Sequence, residues 1–177
     1  MPGAVKSFDP SASAIEAMRV PPHSVEAEQA VLGGLMLDNA TWEQVADRLT
    51  EDDFYRQDHR LLFRAIIELT EHDTPFDAVT LAEWLQGRNL LEQAGGLAYL
   101  ATLARDTPTA ANVRAYADIV RERSVLRQMI RVGGELADAA FRPEGRGTAE
   151  LLDFAERQVF DIAERGGRMQ RSFVRVS

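Results

Sequence analysis

The sequence of 177 residues contains no cysteine. A disulfide, a thiolate metal ligand and a cysteine nucleophile are therefore excluded, and a chain of this kind suits a reducing compartment. Histidine is also scarce, since His23, His59 and His72 lie far apart in no ligand-like spacing. A zinc site is not expected, and His59, beside a predicted helix start, is expected at the surface or half-buried.

Lysine is nearly absent as well, because Lys6 is the only one. A phosphate-binding loop of the form Gly-x-x-x-x-Gly-Lys-Ser/Thr cannot be built around it. The formal net charge is -8, whereas a domain that holds nucleic acid by its phosphates is basic, at least locally. The acidic balance therefore argues against tight binding of DNA or RNA by this chain alone.

Long hydrophobic runs are missing too. No stretch reaches 18 consecutive apolar residues, which argues against a transmembrane helix. The first ten residues lack a basic region followed by an apolar core, so they do not resemble a secretory signal. We therefore predict a cytoplasmic location.

Helical signals fill most of the remaining sequence. Hydrophobic residues make up 45% of the chain, which is enough to build a core. Apolar residues recur with helical spacing, and no alternating strand of useful length is found, so we predict an all-α fold. A disordered tail (1–19) should precede a globular helical head (20–108). The helices predicted in the head are Val25–Leu37, Trp42–Leu49, Gln57–Glu71, a fourth that starts near Asp77 or Thr80 and runs to Gln86, and Leu97–Ala104.

A long helical hairpin is predicted over 109–165. Its first helix, Thr109–Phe141, would be about 50 Å long at 1.5 Å per residue. The stretch 143–147 contains one proline and two glycines and should break it, and Thr148–Arg165 should form the second helix. Residues 166–177 are interpreted as the start of an interdomain linker.

The hairpin carries more apolar surface than its two helices can cover for each other. Either the hairpin folds back onto the head, or a partner covers the excess, and we favour the partner because so long an appendage has few intramolecular options. The candidate interface residues are Leu126, Met129, Ile130, Leu136, Phe141, Leu151, Leu152, Phe154 and Val159.

Two glycine pairs interrupt predicted helices. Gly33-Gly34 lies in the first helix of the head, and Gly133-Gly134 lies in the middle of the long helix. Each glycine costs a helix about 1 kcal/mol relative to alanine. For the pair in the head, the close approach of another helix is the expected compensation.

No catalytic constellation emerges from the residue patterns. Paired acids such as Asp52 and Asp53 stand at helix ends, where capping and solvated charge explain them. The serines have no histidine partner in a recognisable motif. We predict no catalytic, cofactor or metal site in this chain, and an independent small enzyme is the least favoured class.

A nucleic-acid-binding helical module is the alternative function. Arg56, Arg60 and Arg64 recur at i, i+4 and i+8 on one predicted helix and are the candidate DNA contacts. A solvated helix face explains the same spacing, and the acidic total favours that interpretation. A second basic cluster on the long helix could pair with Glu122, Glu135 or acids of a neighbouring subunit; it comprises Arg121, Arg123, Arg127 and Arg131.

Several segments, in the same order, resemble the amino-terminal region of bacterial replicative DNA helicases of the DnaB type. Together they cover about 20–164. The matching segments are Val20–Leu37 (VPPHSVEAEQAVLGGLML), Phe54–Phe63 (FYRQDHRLLF), Asp77–Glu83 (DAVTLAE), Gly95–Leu100 (GGLAYL) and Tyr116–Arg127 (YADIVRERSVLR).

The resemblance implies an amino-terminal collar domain in which hairpins of neighbouring subunits pair, giving dimers and, in the parent protein, a hexamer. It also implies primase as a docking partner, a helicase loader as a further candidate, and contact with single-stranded DNA through the parent. ATP and Mg²⁺ would belong to a motor domain that this sequence lacks. DNA unwinding driven by ATP hydrolysis would thus be an activity of the parent protein.

Overall fold

The computed structural model describes residues 19–173, with side chains described as far as Arg165. The predicted tail therefore lies outside the described residues apart from Arg19, as do the last four residues of the predicted linker. The described residues form helices and turns without a strand, which confirms the all-α prediction. The α-helices are α1 (Val25–Leu37), α2 (Trp42–Val45), α3 (Gln57–Glu71), α4 (Ala78–Gly87), α5 (Gly96–Asp106), α6 (Val113–Phe141) and α7 (Thr148–Phe173).

The core of the head forms around α3. Leu61, Leu62, Phe63 and Ile66 are all buried, as the broad apolar face of this helix predicts. Helix α1 packs against α5 and α6, and α4 packs against both α3 and α5. The head thus has one continuous core to which every helix except α7 contributes.

The glycine pair of α1 lies where this helix meets its neighbours most closely. A methyl group at Gly33 would overlap the Thr107 side chain and the Leu103 carbonyl oxygen, and one at Gly34 would overlap Val113. This confirms that close packing compensates for the low helix propensity of the pair.

Helix starts follow the local capping signals. Ser24 caps α1, because its hydroxyl accepts from the Ala27 N–H at 3.2 Å. Asp77 caps α4 and exchanges two hydrogen bonds with Thr80. Helix α2 ends at Val45, four residues before the predicted end, and a turn follows in which the Arg48 and Leu49 N–H groups both donate to the Val45 carbonyl oxygen.

The long helix begins at Val113, later than the predicted Thr109. The Thr109 hydroxyl accepts from the Ala111 N–H at 3.1 Å and forms a turn before the helix. Once started, α6 contributes Val113, Ala117 and Val120 to the head core. The first turns of α6 therefore pack with the head, and the predicted boundary between 108 and 109 stays a prediction.

Beyond the head, α6 and α7 pack side by side around a turn that includes Glu144 and Gly145, both with positive φ. Helix α7 extends to Phe173, past the predicted end at Arg165, into residues interpreted as linker. The buried or half-buried apolar positions of this part are Val132, Leu136, Ala139, Leu151, Phe154, Ala155 and Ile162. They form the seam between the two helices.

The fold also bears on membrane insertion and on metal binding. Within residues 19–173, no helix is long and apolar enough to cross a membrane. The same part of the chain has no group of three or more histidine or acidic side chains arranged to hold a metal ion.

Candidate interaction surface of the hairpin

A buried carboxylate attaches α6 to the head. The turn Glu51–Asp53 places the Asp53 side chain against α6. Asp53 Oδ1 accepts hydrogen bonds from Arg121 Nη1 at 2.8 Å and from Ser124 Oγ at 2.7 Å. The other oxygen, Oδ2, accepts from the Thr50 N–H at 2.8 Å. Asp53 does form the expected cap, but the prediction that it is solvated was wrong, because its two partners lie 68 and 71 residues away on α6.

Two further arginine contacts hold the same helix. Arg127 donates to the Asp53 carbonyl oxygen at 2.6 Å and to the Pro22 carbonyl oxygen at 2.7 Å. Burial lowers the pKa of this guanidinium below its usual value. Arg48 donates to Asp118 at 2.8 Å. The head therefore fixes the direction in which the hairpin leaves it.

The part of α6 beyond Ser124 exposes large apolar side chains. The exposed fraction is 37% for Leu126, 55% for Met129, 59% for Ile130 and 87% for Phe141. At about 100° per residue these positions lie on one side of the helix. Four small exposed residues share that side, and together the eight positions define the open face: Leu126, Met129, Ile130, Gly133, Gly134, Ala137, Ala140 and Phe141.

The open face carries no charge along its length of about 22 Å. The charged residues of this stretch lie outside the open face: Arg127 and Asp138 border one edge of it, and Arg131 and Glu135 lie further round α6. Arg131 and Glu135 pair there at 3.0 Å. An uncharged apolar face of this extent is unusual on a solvated helix, which makes it a candidate interaction surface.

The predicted interface residues separate into two groups. Leu136, Leu151 and Phe154 are half-buried in the hairpin, and the Arg146 guanidinium lies over the Phe154 ring at 5.6 Å. The others are exposed, namely Leu126, Met129, Ile130, Phe141, Leu152 and Val159. Phe160 is exposed as well, although it is not among the predicted interface residues. Contact with a partner stays a prediction for all of them.

Intramolecular contacts occupy the predicted DNA-contacting arginines. Arg56 pairs with Asp58, Arg60 donates to the Phe54 carbonyl oxygen at 2.7 Å, and Arg64 donates to Glu51 at 2.7 Å. The hydrogen bonds with these acids raise the pKa of Arg56 and of Arg64. DNA contact through these arginines stays a prediction, and a phosphate would have to compete with the carboxylates that already bind two of them.

His59 is fully buried, so the prediction of an exposed or half-buried side chain was wrong. Its Nδ1 lies 2.8 Å from Glu28 Oε1 and its Nε2 lies 2.6 Å from the Tyr99 hydroxyl. Glu28 also accepts from the Tyr55 N–H at 2.9 Å. Burial raises the pKa of Tyr99. This hydrogen-bond network links α1, α3 and α5, and it gives its buried polar groups hydrogen-bond partners within the protein.

The described part of the protein has two hollows large enough to hold small molecules. One of about 200 Å³ lies between α1, α5 and the start of α6, beside Gln29, Tyr99 and Tyr116. The other, of about 880 Å³, lies at the hairpin tip beside Phe141 and Phe154. Neither lining contains serine or histidine among the described residues, so neither offers a nucleophile with an adjacent base of that type.

Comparison with known proteins gives one family. The profile of the family described as "DnaB-like helicase N terminal domain" matches residues 20–122. The chain is 46% identical over 161 residues to the replicative DNA helicase DnaB of Haemophilus influenzae, covering 91% of this chain and 34% of that protein. It is 39% identical over 147 residues to the replicative DNA helicase DnaC of Bacillus subtilis, covering 83% and 32%. The chain thus spans about a third of the length of these relatives.

Two solved structures have a fold similar to that of this chain. The crystal structure of the N-terminal domain of DnaB helicase from Mycobacterium tuberculosis matches with a TM-score of 0.77 and 40% identity, covering 80% of this chain and 99% of that one. A DnaB-like replicative helicase whose structure was described with its interactions with primase matches with a TM-score of 0.63. That second match, at 20% identity over 77% of this chain and 31% of the other, shows the fold alone.

Proposed function

The chain belongs to the family of DnaB-like helicase N-terminal domains, and from this premise we propose that it assembles copies of a replicative DNA helicase through its hairpin. The open face of α6 is the observation that carries the proposal. Its exposed apolar side chains have no partner among the described residues, and a patch of this kind is typical of a protein–protein interface.

The attachment of α6 to the head supports the same function. Asp53, Arg121 and Arg127 hold the helix at a fixed direction, so pairing of two hairpins also sets how two heads stand relative to each other. A collar built from such pairs needs this rigidity, because a loosely attached hairpin would transmit no orientation to its head.

Primase docking is a second part of the proposal. It rests on the family and on the relative whose interactions with primase were described. A helicase loader and single-stranded DNA are further partners that we propose for the assembled helicase. The chain itself provides no phosphate-binding loop, since Lys6 is its only lysine. We therefore propose that ATP, Mg²⁺ and DNA unwinding belong to the part of such a helicase beyond the matched third.

Sedimentation velocity over a range of concentrations tests the assembly. We expect concentration-dependent association, and we expect Ile130→Asp to weaken it at least tenfold by burying a charge in the interface. Val79→Asp is the matched control, because Val79 is 63% exposed on α4 and Ile130 is 59% exposed on α6. A chain that stays monomeric at high micromolar concentration would contradict the proposal.

Co-elution with a bacterial primase tests docking separately. The expected result is a complex whose yield depends on the presence of this chain in folded form. Self-association without any primase complex would remove docking from the proposal and leave assembly in place.

A further inference from the structure

The hollow between α1, α5 and the start of α6 has no role in the proposed assembly, and its lining has a distinctive chemistry. Its volume is about 200 Å³, below the roughly 300–1,000 Å³ of pockets for drug-sized molecules, so it suits one small chemical group. Glu26 and Asp106 line it, and no lysine, arginine or histidine does so in the part of the chain that the structure describes. A ligand would therefore meet negative charge that no cation of the lining neutralises.

Both acids of the hollow are available to a ligand. Glu26 is exposed in the first turn of α1 and forms no ion pair with another described residue. Asp106 lies 3.5 Å from the Nε of its neighbour Arg105, and the side chains of this pair are 67% and 76% exposed. A surface pair of this kind contributes little to stability, so a cationic ligand can replace Arg105 at little cost.

Two threonine hydroxyls of the wall can accept hydrogen bonds but have no hydrogen left to donate. Thr102 Oγ1 donates to the Ala98 carbonyl oxygen, and Thr107 Oγ1 donates to the Leu103 carbonyl oxygen, each at 2.9 Å. A hydroxyl carries one hydrogen and two lone pairs. Towards a ligand, each of these oxygens therefore offers acceptor capacity only.

The Tyr99 hydroxyl is committed in the same way. Its oxygen lies 2.6 Å from His59 Nε2, and the other nitrogen of that ring lies 2.8 Å from a carboxylate oxygen of Glu28. In a neutral imidazole the nitrogen beside the carboxylate carries the hydrogen, so Nε2 accepts from the tyrosine. Gln29 Nε2 donates to the same tyrosine oxygen at 3.4 Å, which leaves the Gln29 amide oxygen as a further acceptor.

The C-terminal end of α5 adds negative charge to this wall. The helix ends at Asp106, Thr107 follows with an extended backbone, and Pro108 has no N–H to donate back to the last turn. The last carbonyl oxygens of a helix together carry partial charge equivalent to about half an electron, which favours a cation beside them. Thr107 and Pro108 both line the hollow, so this end of the helix lies at its wall.

An aromatic ring completes the lining. Tyr116 is half-buried there, and no described arginine lies over its ring, whereas Arg56 already lies 5.5 Å from the centre of the Tyr99 ring. An aromatic face beside acceptors suits an organic cation with an apolar stem. A metal ion suits it less, because the described residues contain no group of three or more histidine or acidic side chains arranged to hold one.

We propose that this hollow binds a guanidinium group, carried either by a free organic cation or by an arginine side chain of another protein. The planar group supplies five N–H donors and a permanent positive charge, which match a wall of acceptors that includes two carboxylates. An ammonium group supplies three donors from a single atom and should bind more weakly. The hollow shares no residue with the open face, so this site does not depend on the proposed assembly.

Titration of the isotopically labelled chain with N-acetyl-arginine methylamide, followed by backbone amide shifts in NMR spectra, tests the site. We expect saturable shifts at Gln29, Thr102 and Thr107. N-acetyl-citrulline methylamide is the matched control ligand, because it has nearly the same shape without the charge, and it should bind at least tenfold more weakly. Equal affinities for these two compounds, or tighter binding of the corresponding lysine compound, would overturn the proposal.

Substitutions in the protein separate the hollow from the overall charge of the chain. Glu26→Gln and Asp106→Asn should each weaken binding of the arginine compound at least threefold, because each removes a negative charge and keeps the shape of the side chain. Glu92→Gln is the matched control, since Glu92 is also an exposed acid of the head and does not line the hollow. An equal loss in all three variants would mean that net charge attracts the ligand, and would overturn the site. The amide spectrum of each variant also reports whether it is folded.

Agmatine distinguishes the two sources of the group. It presents the guanidinium on a free amine, whereas the blocked arginine presents it between two peptide bonds. Tighter binding of agmatine would assign the hollow to a free cation, and tighter binding of the blocked arginine would assign it to a protein side chain. If neither compound binds at millimolar concentration, the site is wrong, while the proposed assembly still stands or falls by sedimentation velocity alone.

Discussion

The two halves of α6 differ in what covers them. The half nearest the head buries Val113, Ala117 and Val120 in the core and is tied down by Arg121 and Ser124. The far half pairs with α7 along one side and leaves the open face bare on another. Apolar residues follow helical spacing through both halves, so spacing alone does not distinguish a core contact from an interface contact.

The same contrast holds for the polar groups. In the near half, a guanidinium and a hydroxyl are buried against Asp53, whereas in the far half Arg131 and Glu135 pair in solvent. Buried polar contacts make the near half a rigid support. One helix therefore has two environments, since its first turns belong to the core of the head and its last turns expose an apolar face.

The largest effect is expected from a substitution that removes the contacts between the near half of α6 and the head. Asp53→Ala removes a buried acceptor and leaves Arg121 and Ser124 without their partner, and losing one member of a buried ion pair costs about 3–5 kcal/mol. We therefore expect a loss of that order in the free energy of unfolding, measured by urea denaturation. Asp52→Ala, at the exposed neighbour, should change stability by less than about 0.5 kcal/mol. Equal effects of the two variants would contradict the role given to Asp53.

A smaller effect is expected at the glycine pair of α1. Gly34→Ala would force its methyl group into Val113, and overpacking a core contact costs about 1–3 kcal/mol. Urea denaturation should show this loss, although alanine favours a helix more than glycine does. If the variant were as stable as the parent chain, α1 and α6 could not be packed as tightly as the structure indicates.

Local features of this chain could be predicted from its sequence. Ser24 as a cap, the apolar face of α3 and the break at Pro143 follow from residues within a few positions of each other. The Asp53–Arg121 and Glu28–His59 pairs could not be predicted, because 68 and 31 residues separate the partners. From the sequence, a solvated cap at Asp53 and a surface position for His59 were reasonable expectations. Only the fold places their partners next to them.

The candidate interface was predictable only in part, for a related reason. Helical spacing groups Leu136 with Met129, seven residues earlier, yet Leu136 faces the seam with α7 while Met129 is exposed. The distinction depends on where α7 lies, and the sequence of α6 does not contain that information. The sequence does show Gly133-Gly134, but it does not show that both residues, unlike the pair in α1, have no close neighbour among the described residues.

The smallest expected effect is at the glycine pair of α6, where a substitution should change stability in the opposite direction to one at the pair of α1. Because Gly133 contacts no described residue in the single chain, Gly133→Ala should stabilise an isolated chain by about 0.5–1 kcal/mol through helix propensity. Association would obscure this gain, so the substitution is best made in the Ile130→Asp background, where we expect monomers. Urea denaturation of that double variant should show higher stability than Ile130→Asp alone, the opposite sign to Gly34→Ala. A loss of stability would mean that Gly133 already has a close neighbour within its own chain, and would contradict the open position that the structure gives it.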